Sequence, residues 1–336
     1  MRQHINILLY FFITILSSSG SKQPPARRKL RSLSAEEEAP LPHVTLINSG
    51  VMKRAYKEAS NTNNDIDWSN VVIIIPTYNS ESANELLKSS YNTWMRYLGN
   101  ADVVLVTDDD DPRSDDEILP RDSLQANMHV YRSSAIKEGR RTRYKVIDAL
   151  DHVLDVFNDK DIFMKIDTDS YILPHNLITV VNGIHKNTYP LPVELGRGVC
   201  ITSETCYSHG GMYAYNKPGL QLMLSYVSQH TPSIYSLDIK NELNNDNLMA
   251  HEDYFTSYAF QQATDNKYPI INMHGVSESL IRLKQSYKNK MKRPFYSIHN
   301  VKQVGDFYRL HNLFYDGDEN AKEVVYDVDG FIQWAR

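Results

Sequence analysis

The sequence predicts an α/β fold in which a mostly parallel sheet is covered by helices on both faces. Two continuous apolar runs, VVIII at 71–75 and ADVVLVT at 101–107, are typical of strands buried on both faces. A third run, IFM at 162–164, leads into Asp167 and Asp169. Segments long enough for helices separate the runs, and this alternation favours a parallel sheet. Ligands of such sheets bind outside the carboxyl ends of the strands.

The predicted elements follow one another regularly up to about residue 185. The first strand ends at Pro76, and residues 81–98 are long enough for the helix that leads to the second strand. The next helix is predicted at 143–157, because apolar residues recur there at intervals of four, three and four: Val146, Leu150, Val153 and Phe157. Beyond residue 185 the sequence predicts helices at 217–230 and 251–263, and a strand within 294–302.

The composition is that of a globular protein that does not bind nucleic acid. A chain of 336 residues that is 41% hydrophobic can bury a substantial core. Its formal net charge of -5 at pH 7 provides no basic surface for a phosphate backbone. Nucleic acid is therefore excluded as an expected partner.

The first 64 residues differ in character from the rest of the chain. Residues 1–20 contain the apolar run INILLYFFITIL, which has the length of a signal-peptide core and is shorter than the roughly 20 residues of a spanning helix. We predict a signal peptide or signal-anchor at 1–20, a flexible stem at 21–64 and one folded domain at 65–336. The chain would enter the secretory pathway, as a type II protein of the Golgi or ER lumen or as a secreted protein. It would contact a membrane only through an uncleaved leader.

The chain has two cysteines, Cys200 and Cys206, separated by five residues. In the oxidising compartment that the leader implies, they could close a small local loop. The sequence leaves open whether their geometry allows the bond.

The third strand ends in two carboxylates that could bind a metal ion. Side chains alternate along a strand, so Asp167 and Asp169 should point to one side and Thr168 to the other. Two hard oxygen ligands at a sheet edge suit Mg²⁺ or Mn²⁺ and the phosphates that such an ion carries. An ordinary Asp-rich turn would look the same, so the pair alone leaves metal binding open.

Three further segments could supply polar groups to the same edge. TDDDDP at 107–112 is typical of a solvated loop, although Asp108 would stand at a strand end and could contact a nucleotide. HEDYFTSYAF at 251–260 places Glu252 and Asp253 at the start of a helix, where the macrodipole favours ionised carboxylates, and helix capping is the alternative. PFYSIHNVK at 294–302 places His299 in an apolar-aromatic strand, where a core role is the alternative.

Taken in order, the segments resemble those of the inverting β-1,3-glycosyltransferases of the fringe and core-1 galactosyltransferase kind. FMKIDTDSYILPHNL resembles their metal-binding strand and turn, and SHGGMYAYNKPGLQLML resembles their Gly-Gly segment. HEDYFTSYAF resembles their acidic pair, and PFYSIHNVK their late histidine strand. Upstream, YNTWMRYLGNADVVLVTDDDD and RTRYKVIDALDHVLDVF resemble the segments that precede the metal motif. Together the matches cover residues 70–302.

The resemblance implies a GT-A fold, a Rossmann-like sheet that binds a UDP-sugar with Mn²⁺ or Mg²⁺. By position, Asp169 would be the main metal ligand, Asp167 would lie nearer the nucleotide, and His299 would complete the metal shell. Asp253 would be the catalytic base that activates a hydroxyl of a glycan or glycoprotein acceptor, giving a β-1,3 linkage with inversion. The implied nucleotide or donor contacts are Thr77, Asp108, Lys145, Asp167 and Thr168. The implied acceptor or donor pocket contains Gly210, Gly211 and Glu252.

Some features keep other functions open. Thr168 and Thr256 stand where this family usually has Asp and Gly. VVIIIPTYNSE also resembles the opening strand of the family-2 glycosyltransferases, and RKLR followed by EEE within 28–38 resembles the leader of secreted oomycete effectors. The alternatives are a family-2-like glycosyltransferase and a catalytically inactive secreted glycan-binding or effector protein on a GT-A scaffold.

Overall fold

The computed structural model describes residues 67–119, 126–134, 142–200, 206–236, 251–268, 270–273, 278–279 and 296–315. The predicted leader at 1–20 and stem at 21–64 lie outside the described residues. The strands are β1 (Val71–Pro76), β2 (Asp102–Asp108), β3 (Asn127–Ser133), β4 (Ile162–Ile166), β5 (Tyr171–Ile172), β6 (Glu194–Cys200), β7 (Cys206–Asn216), β8 (Ile270–Asn272), β9 (Glu278–Ser279) and β10 (Ser297–His299). The helices are α1 (Glu81–Tyr91), α2 (Asp115–Ile118), α3 (Thr142–Val156), α4 (Pro174–Thr188), α5 (Lys217–Ser236), α6 (Glu252–Ala263) and α7 (Val304–Tyr315).

Seven strands form the central sheet, in the order β3-β2-β1-β4-β7-β6-β8. β1 pairs in parallel with β2 on one side and with β4 on the other, and β3 pairs in parallel with β2. β7 runs antiparallel to both of its neighbours, β4 and β6. The predicted mostly parallel α/β sheet is therefore confirmed, and it is consistent with a Rossmann-like GT-A fold. Strand order reverses at β1, which opens a crevice at the carboxyl ends of β1 and β4.

The central strands are buried on both faces, as their continuous apolar runs predict. In β1, Val71, Ile73 and Ile75 pack into the apolar cluster formed with α1, α4 and α7. Val72 and Ile74 pack into the opposite cluster, formed with α3, α5 and α6. The sheet thus separates two apolar layers, and its polar residues are concentrated at the strand ends.

Two local predictions differ from the structure. The single helix predicted at 81–98 ends at Tyr91, and a separate 3₁₀ turn follows at Trp94–Tyr97, because Thr93 leaves the helical backbone region (φ -125, ψ -107). The acidic run at 107–112 is not a fully solvated loop: Asp111 is buried. Its carboxylate accepts from Arg113 Nε at 2.9 Å and from the Thr107 hydroxyl, and these bonds compensate its burial.

The helices of the described part of the chain include none that is both long and apolar enough to cross a membrane.

Candidate metal and active site

The turn after β4 carries the two aspartates and is held against β7. Asp167 N donates to Gly211 O at 3.1 Å, and Ser170 N donates to Asp167 O at 3.0 Å. The Ser170 hydroxyl also donates to Gly211 O at 2.9 Å. These bonds place both carboxylates at the crevice beside the end of β1, where a parallel sheet of this topology binds ligands.

His299 reaches the same place through a second, three-stranded sheet. Its strand β10 pairs antiparallel with β5, which follows the aspartate turn directly, and pairs in parallel with β9. His299 Nε2 lies 3.2 Å from Asp169 Oδ1 and 3.5 Å from Asp167 Oδ2. A histidine 130 residues further along the chain than Asp169 thus lies beside both carboxylates.

The three side chains form a group that could hold a divalent cation. One ligand atom from each of Asp167, Asp169 and His299 lies within 4.8 Å of the other two. Carboxylate oxygens suit Mg²⁺ and Mn²⁺, and imidazole also binds transition metals. Three protein ligands would leave coordination positions of the ion open to water or other oxygen ligands. The residues therefore fit the Mn²⁺ or Mg²⁺ that the sequence predicts.

The side chains of this group form an array of paired charges. Burial would lower the pKa of His299, but hydrogen bonds and charges from Asp167 and Asp169 raise it to about 9. Burial would raise the pKa of Asp167, but Lys165 and His299 lower it to about 2. At neutral pH His299 is therefore protonated and Asp167 is ionised, so His299 must lose its proton before it can bind a metal.

Lys165 links the acidic pair on α6 to the candidate metal group, which consists of Asp167, Asp169 and His299. Its ammonium group lies 2.7 Å from Asp167 Oδ1 and 2.8 Å from Glu252 Oε1, and it donates to Gly210 O at 2.7 Å. The side chain is only 1% exposed. Burial would lower the pKa of Lys165, but Asp167 and Glu252 outweigh that effect and raise it. Lys165 is thus a buried cation that holds β4, β7 and the start of α6 together.

The acidic pair divides into a buried and a partly exposed carboxyl group. Burial raises the pKa of Glu252 to about 7, despite the opposing charge of Lys165. Asp253 lies against Gly210, and its Oδ1 accepts from Tyr254 N at 2.8 Å. Asp253, rather than Glu252, is therefore the member of the pair that an acceptor hydroxyl could reach.

Gly210 and Gly211 lie where β7 bulges away from β6. Residues 209–212 of β7 stand opposite the single residue between Gly196 and Gly198 of β6. A Cβ at Gly210 would lie 2.9 Å from Asp253 Oδ2, and one at Gly211 would lie 2.5 Å from His299 Cγ. Glycine is required at Gly211 by this close approach, whereas an added Cβ at Gly210 would meet the end of the Asp253 side chain. The dipeptide thereby contacts the acidic pair and the metal group at once.

Gly211→Ala should displace His299 and weaken Mn²⁺ binding by about tenfold or more, the usual cost of disturbing how a ligand is held. Overlap with the imidazole should also lower the free energy of unfolding by about 1–3 kcal/mol. The control is Gly305→Ala on α7, where an added Cβ has nothing within 4 Å. Mn²⁺ titration and urea unfolding of both variants measure the effects. Parental Mn²⁺ affinity in Gly211→Ala would contradict the assignment of His299 as a ligand.

The predicted nucleotide contacts lie at the ends of β1, β2 and β4 and on α3, and two of them are fully buried. Lys145 is fully buried; its Nζ donates to Thr77 O at 3.0 Å and lies 2.8 Å from Asp108 Oδ1. Thr77 is also fully buried. Asp108 and Thr168 are partly exposed. Lys145 therefore joins the residue after β1 to Asp108 at the end of β2.

Cys200 and Cys206 form a disulfide. The two residues are directly opposite each other in the pairing of β6 with β7. Gln261 of α6 donates to Cys206 O at 2.5 Å, so the helix that carries Asp253 also contacts this end of the hairpin.

A second buried acid, Glu194 of β6, lies beneath α6. The Ser257 hydroxyl donates to Glu194 Oε1 at 2.5 Å and accepts from Ser208 N at 2.9 Å. Burial raises the pKa of Glu194 to about 7, although the hydroxyl groups of Ser257, Ser208 and Tyr215 favour the charged form. Ser257 lies one helical turn after the candidate base, so this bond ties the base helix to the sheet.

Glu194→Gln should make stability less dependent on pH. The folded-state pKa of Glu194 is raised from 4.5 to about 7. Protonated Glu194 therefore stabilises the fold below pH 4.5, and this contribution is lost as pH rises through about 7. The shift corresponds to about 3 kcal/mol, which the parent should lose relative to the Gln variant over this range. Urea unfolding across the range measures the difference, and a difference that does not change with pH would refute the prediction.

The sequence did not indicate that three further residues belong to the site: Lys165, Lys302 and His209. Lys165 precedes Asp167 by two residues on a strand, so alternation could have placed both on one side. Lys302 follows His299 by three residues, but nothing in the sequence shows that the chain turns there. His209 stacks edge-on against His299 with ring centres 5.1 Å apart, and burial and the charge of His299 lower its pKa to about 4. Only the structure places it beside the metal group.

No protein-family model matches this sequence, and no curated protein sequence matches it. Among solved structures, the chain is similar to the crystal structure of a glycosyltransferase involved in the glycosylation of the major capsid of PBCV-1. That similarity has a sequence identity of 10% and a TM-score of 0.40, and it covers 72% of this chain and 98% of the other. The function proposed for this chain therefore depends on the geometry of its site.

Proposed function

We propose that this protein is a divalent-metal-dependent inverting glycosyltransferase that moves a sugar from a UDP-sugar to a hydroxyl of a glycan or glycoprotein. A β-1,3 linkage follows from the resemblance to the fringe and core-1 kind. One observation carries the proposal: Asp167, Asp169 and His299 meet at the carboxyl edge of a Rossmann-like sheet. The acidic pair is joined to that group through Lys165.

The chemistry of sugar transfer explains why these groups lie together. The reaction needs negative charge neutralised on the leaving diphosphate, and a bound Mn²⁺ or Mg²⁺ would supply that as a Lewis acid. It also needs a base for the acceptor hydroxyl. Asp253, partly exposed beside Gly210, would take that proton as the acceptor oxygen forms the new bond to the sugar and the bond to the diphosphate breaks. A single displacement of this kind inverts the anomeric configuration.

The test is the release of UDP from a panel of UDP-sugars by the full chain, with Mn²⁺ and with or without EDTA. The proposal expects release from at least one donor that EDTA abolishes, and faster release when the right acceptor is present. Metal-dependent binding of UDP without any release across the panel would favour the inactive glycan-binding alternative. Absence of UDP binding in the presence of Mn²⁺ would remove the proposal.

A further inference from the structure

Each carboxylate of the candidate metal group has one oxygen bound by a lysine and the other turned towards His299. Lys165 Nζ lies 2.7 Å from Asp167 Oδ1, and Lys302 Nζ forms an ion pair with Asp169 Oδ2. The opposite oxygens, Asp167 Oδ2 and Asp169 Oδ1, are the ones 3.5 Å and 3.2 Å from His299 Nε2. The two lysines therefore hold the carboxylates in an orientation in which their other oxygens converge on His299 Nε2.

The two lysines differ in their freedom to move. Lys165 is 1% exposed and contacts three groups, so it cannot leave Asp167 without uncovering buried charges. The side chain of Lys302 is 65% exposed, whereas that of Asp169 is 9% exposed. Exposed ion pairs are weak, and exposed side chains change rotamer rapidly. Of the two lysines, only Lys302 can therefore leave its carboxylate and pair with another group.

The position of Lys302 is built into the turn that also carries His299. Asn300 adopts a left-handed backbone conformation (φ 64), which Asn tolerates better than most residues. Val301 N donates to Asp169 O at 2.9 Å and anchors the turn to the aspartate backbone. His299 and Lys302 are therefore both directed at Asp169, one on each of its carboxylate oxygens.

We propose that Lys302 is a diphosphate-binding residue that exchanges partners when the metal binds. In this structure Lys302 pairs with Asp169. With a divalent cation held by Asp167, Asp169 and His299, Lys302 would turn towards the crevice and donate to an oxygen of the donor diphosphate. Its ammonium group would supply positive charge where negative charge grows on the leaving group. This inference rests on the proposed function, because it requires a nucleoside diphosphate donor.

The exchange predicts two effects of opposite sign for Lys302→Met, which keeps most of the side-chain length and removes the charged end. Mn²⁺ alone should bind about two- to fivefold more tightly, because a competing cation has been removed from Asp169. UDP at saturating Mn²⁺ should bind about tenfold more weakly, because a charge-assisted hydrogen bond to the diphosphate is lost. A residue with only a structural role would not separate the two affinities in this way.

The experiment uses the full chain and two control variants. Mn²⁺ affinity is measured from the electron paramagnetic resonance signal of the free ion, and UDP affinity by calorimetry. Lys88→Met removes an equally exposed lysine that pairs with Glu85 on α1 and should behave as the parent. Lys302→Arg keeps the charge and should lie close to the parent in both titrations. Thermal unfolding checks that every variant is folded.

Each outcome decides a separate question. Opposite shifts for Lys302→Met, absent in both controls, support the exchange. Parental affinity for either Mn²⁺ or UDP in Lys302→Met overturns the role of Lys302 and leaves the proposed transferase in place. Absence of UDP binding by the parent in the presence of Mn²⁺ overturns both.

Discussion

Asp253→Asn should reduce the rate of sugar transfer by about 10²- to 10⁴-fold, the usual contribution of a positioned general base. The substitution preserves the shape of the side chain that fits against Gly210, and an amide oxygen can still accept from Tyr254 N. The start of α6 should therefore keep its place. Asp253 is not a member of the metal group, so the Mn²⁺ and UDP affinities should be unchanged.

The control for this variant is Asp265→Asn. Asp265 is an exposed aspartate just beyond the end of α6, paired with Lys267 at 3.1 Å. The Asp265→Asn variant has the same chemical change on a nearby part of the chain. It should therefore transfer sugar at the parental rate. Initial rates at saturating donor and acceptor, together with calorimetry of Mn²⁺ and UDP, make the comparison. Parental transfer by Asp253→Asn would remove the base assignment, and loss of UDP binding would show that Asp253 acts on the donor.

Asp169→Asn should weaken Mn²⁺ binding by about 100-fold or more and abolish transfer. Changes to groups that merely orient a ligand cost about 10- to 100-fold in metal affinity, so loss of a charged ligand should cost at least as much. The bond from Val301 N goes to the backbone of Asp169 and remains in the variant. The turn should therefore keep its shape, and the effect should report on the carboxylate itself.

The control for Asp169→Asn comes from the acidic run after β2. Asp110 is exposed, and Asp110→Asn removes the same charge from another acid-rich strand end. That variant should bind Mn²⁺ as the parent does. Equal Mn²⁺ affinities of Asp169→Asn and the parent would mean that the ion binds elsewhere. Equal weakening by both variants would mean that overall acidity, and not ligation, governs the binding.

The strands β1, β2 and β4 were predictable from the sequence because their burial leaves a direct mark on composition. Val71–Pro76 and Ile162–Ile166 are covered on both faces, so every position of these strands is buried and nearly all of them are apolar. Alternation along the chain then predicts Asp167 and Asp169 on one side of the sheet edge. The limits of the first helix were less predictable, since Thr93 ends the helix through its backbone angles and not through a proline or glycine.

Whether each polar residue is buried or exposed could not be predicted from its neighbours in the sequence. Lys145 and Lys302 are both lysines near an aspartate, yet one is fully buried and the other largely exposed. Asp111 belongs to a run of four aspartates and is the one that Arg113 and Thr107 cover. Burial depends on which segments pack above a residue, and those segments come from distant parts of the chain.

The sequence by itself determined the α/β sheet and the strand end that carries two carboxylates, because burial and alternation act over a few neighbouring residues. The tertiary structure decided that His299 and Lys302 approach those carboxylates from one turn. It also decided that Lys165 joins them to α6. These contacts depend on the pairing of β10 with β5 and on the bulge in β7. The pairing of β10 with β5 joins residues more than a hundred positions apart, where local periodicity carries no information about distance.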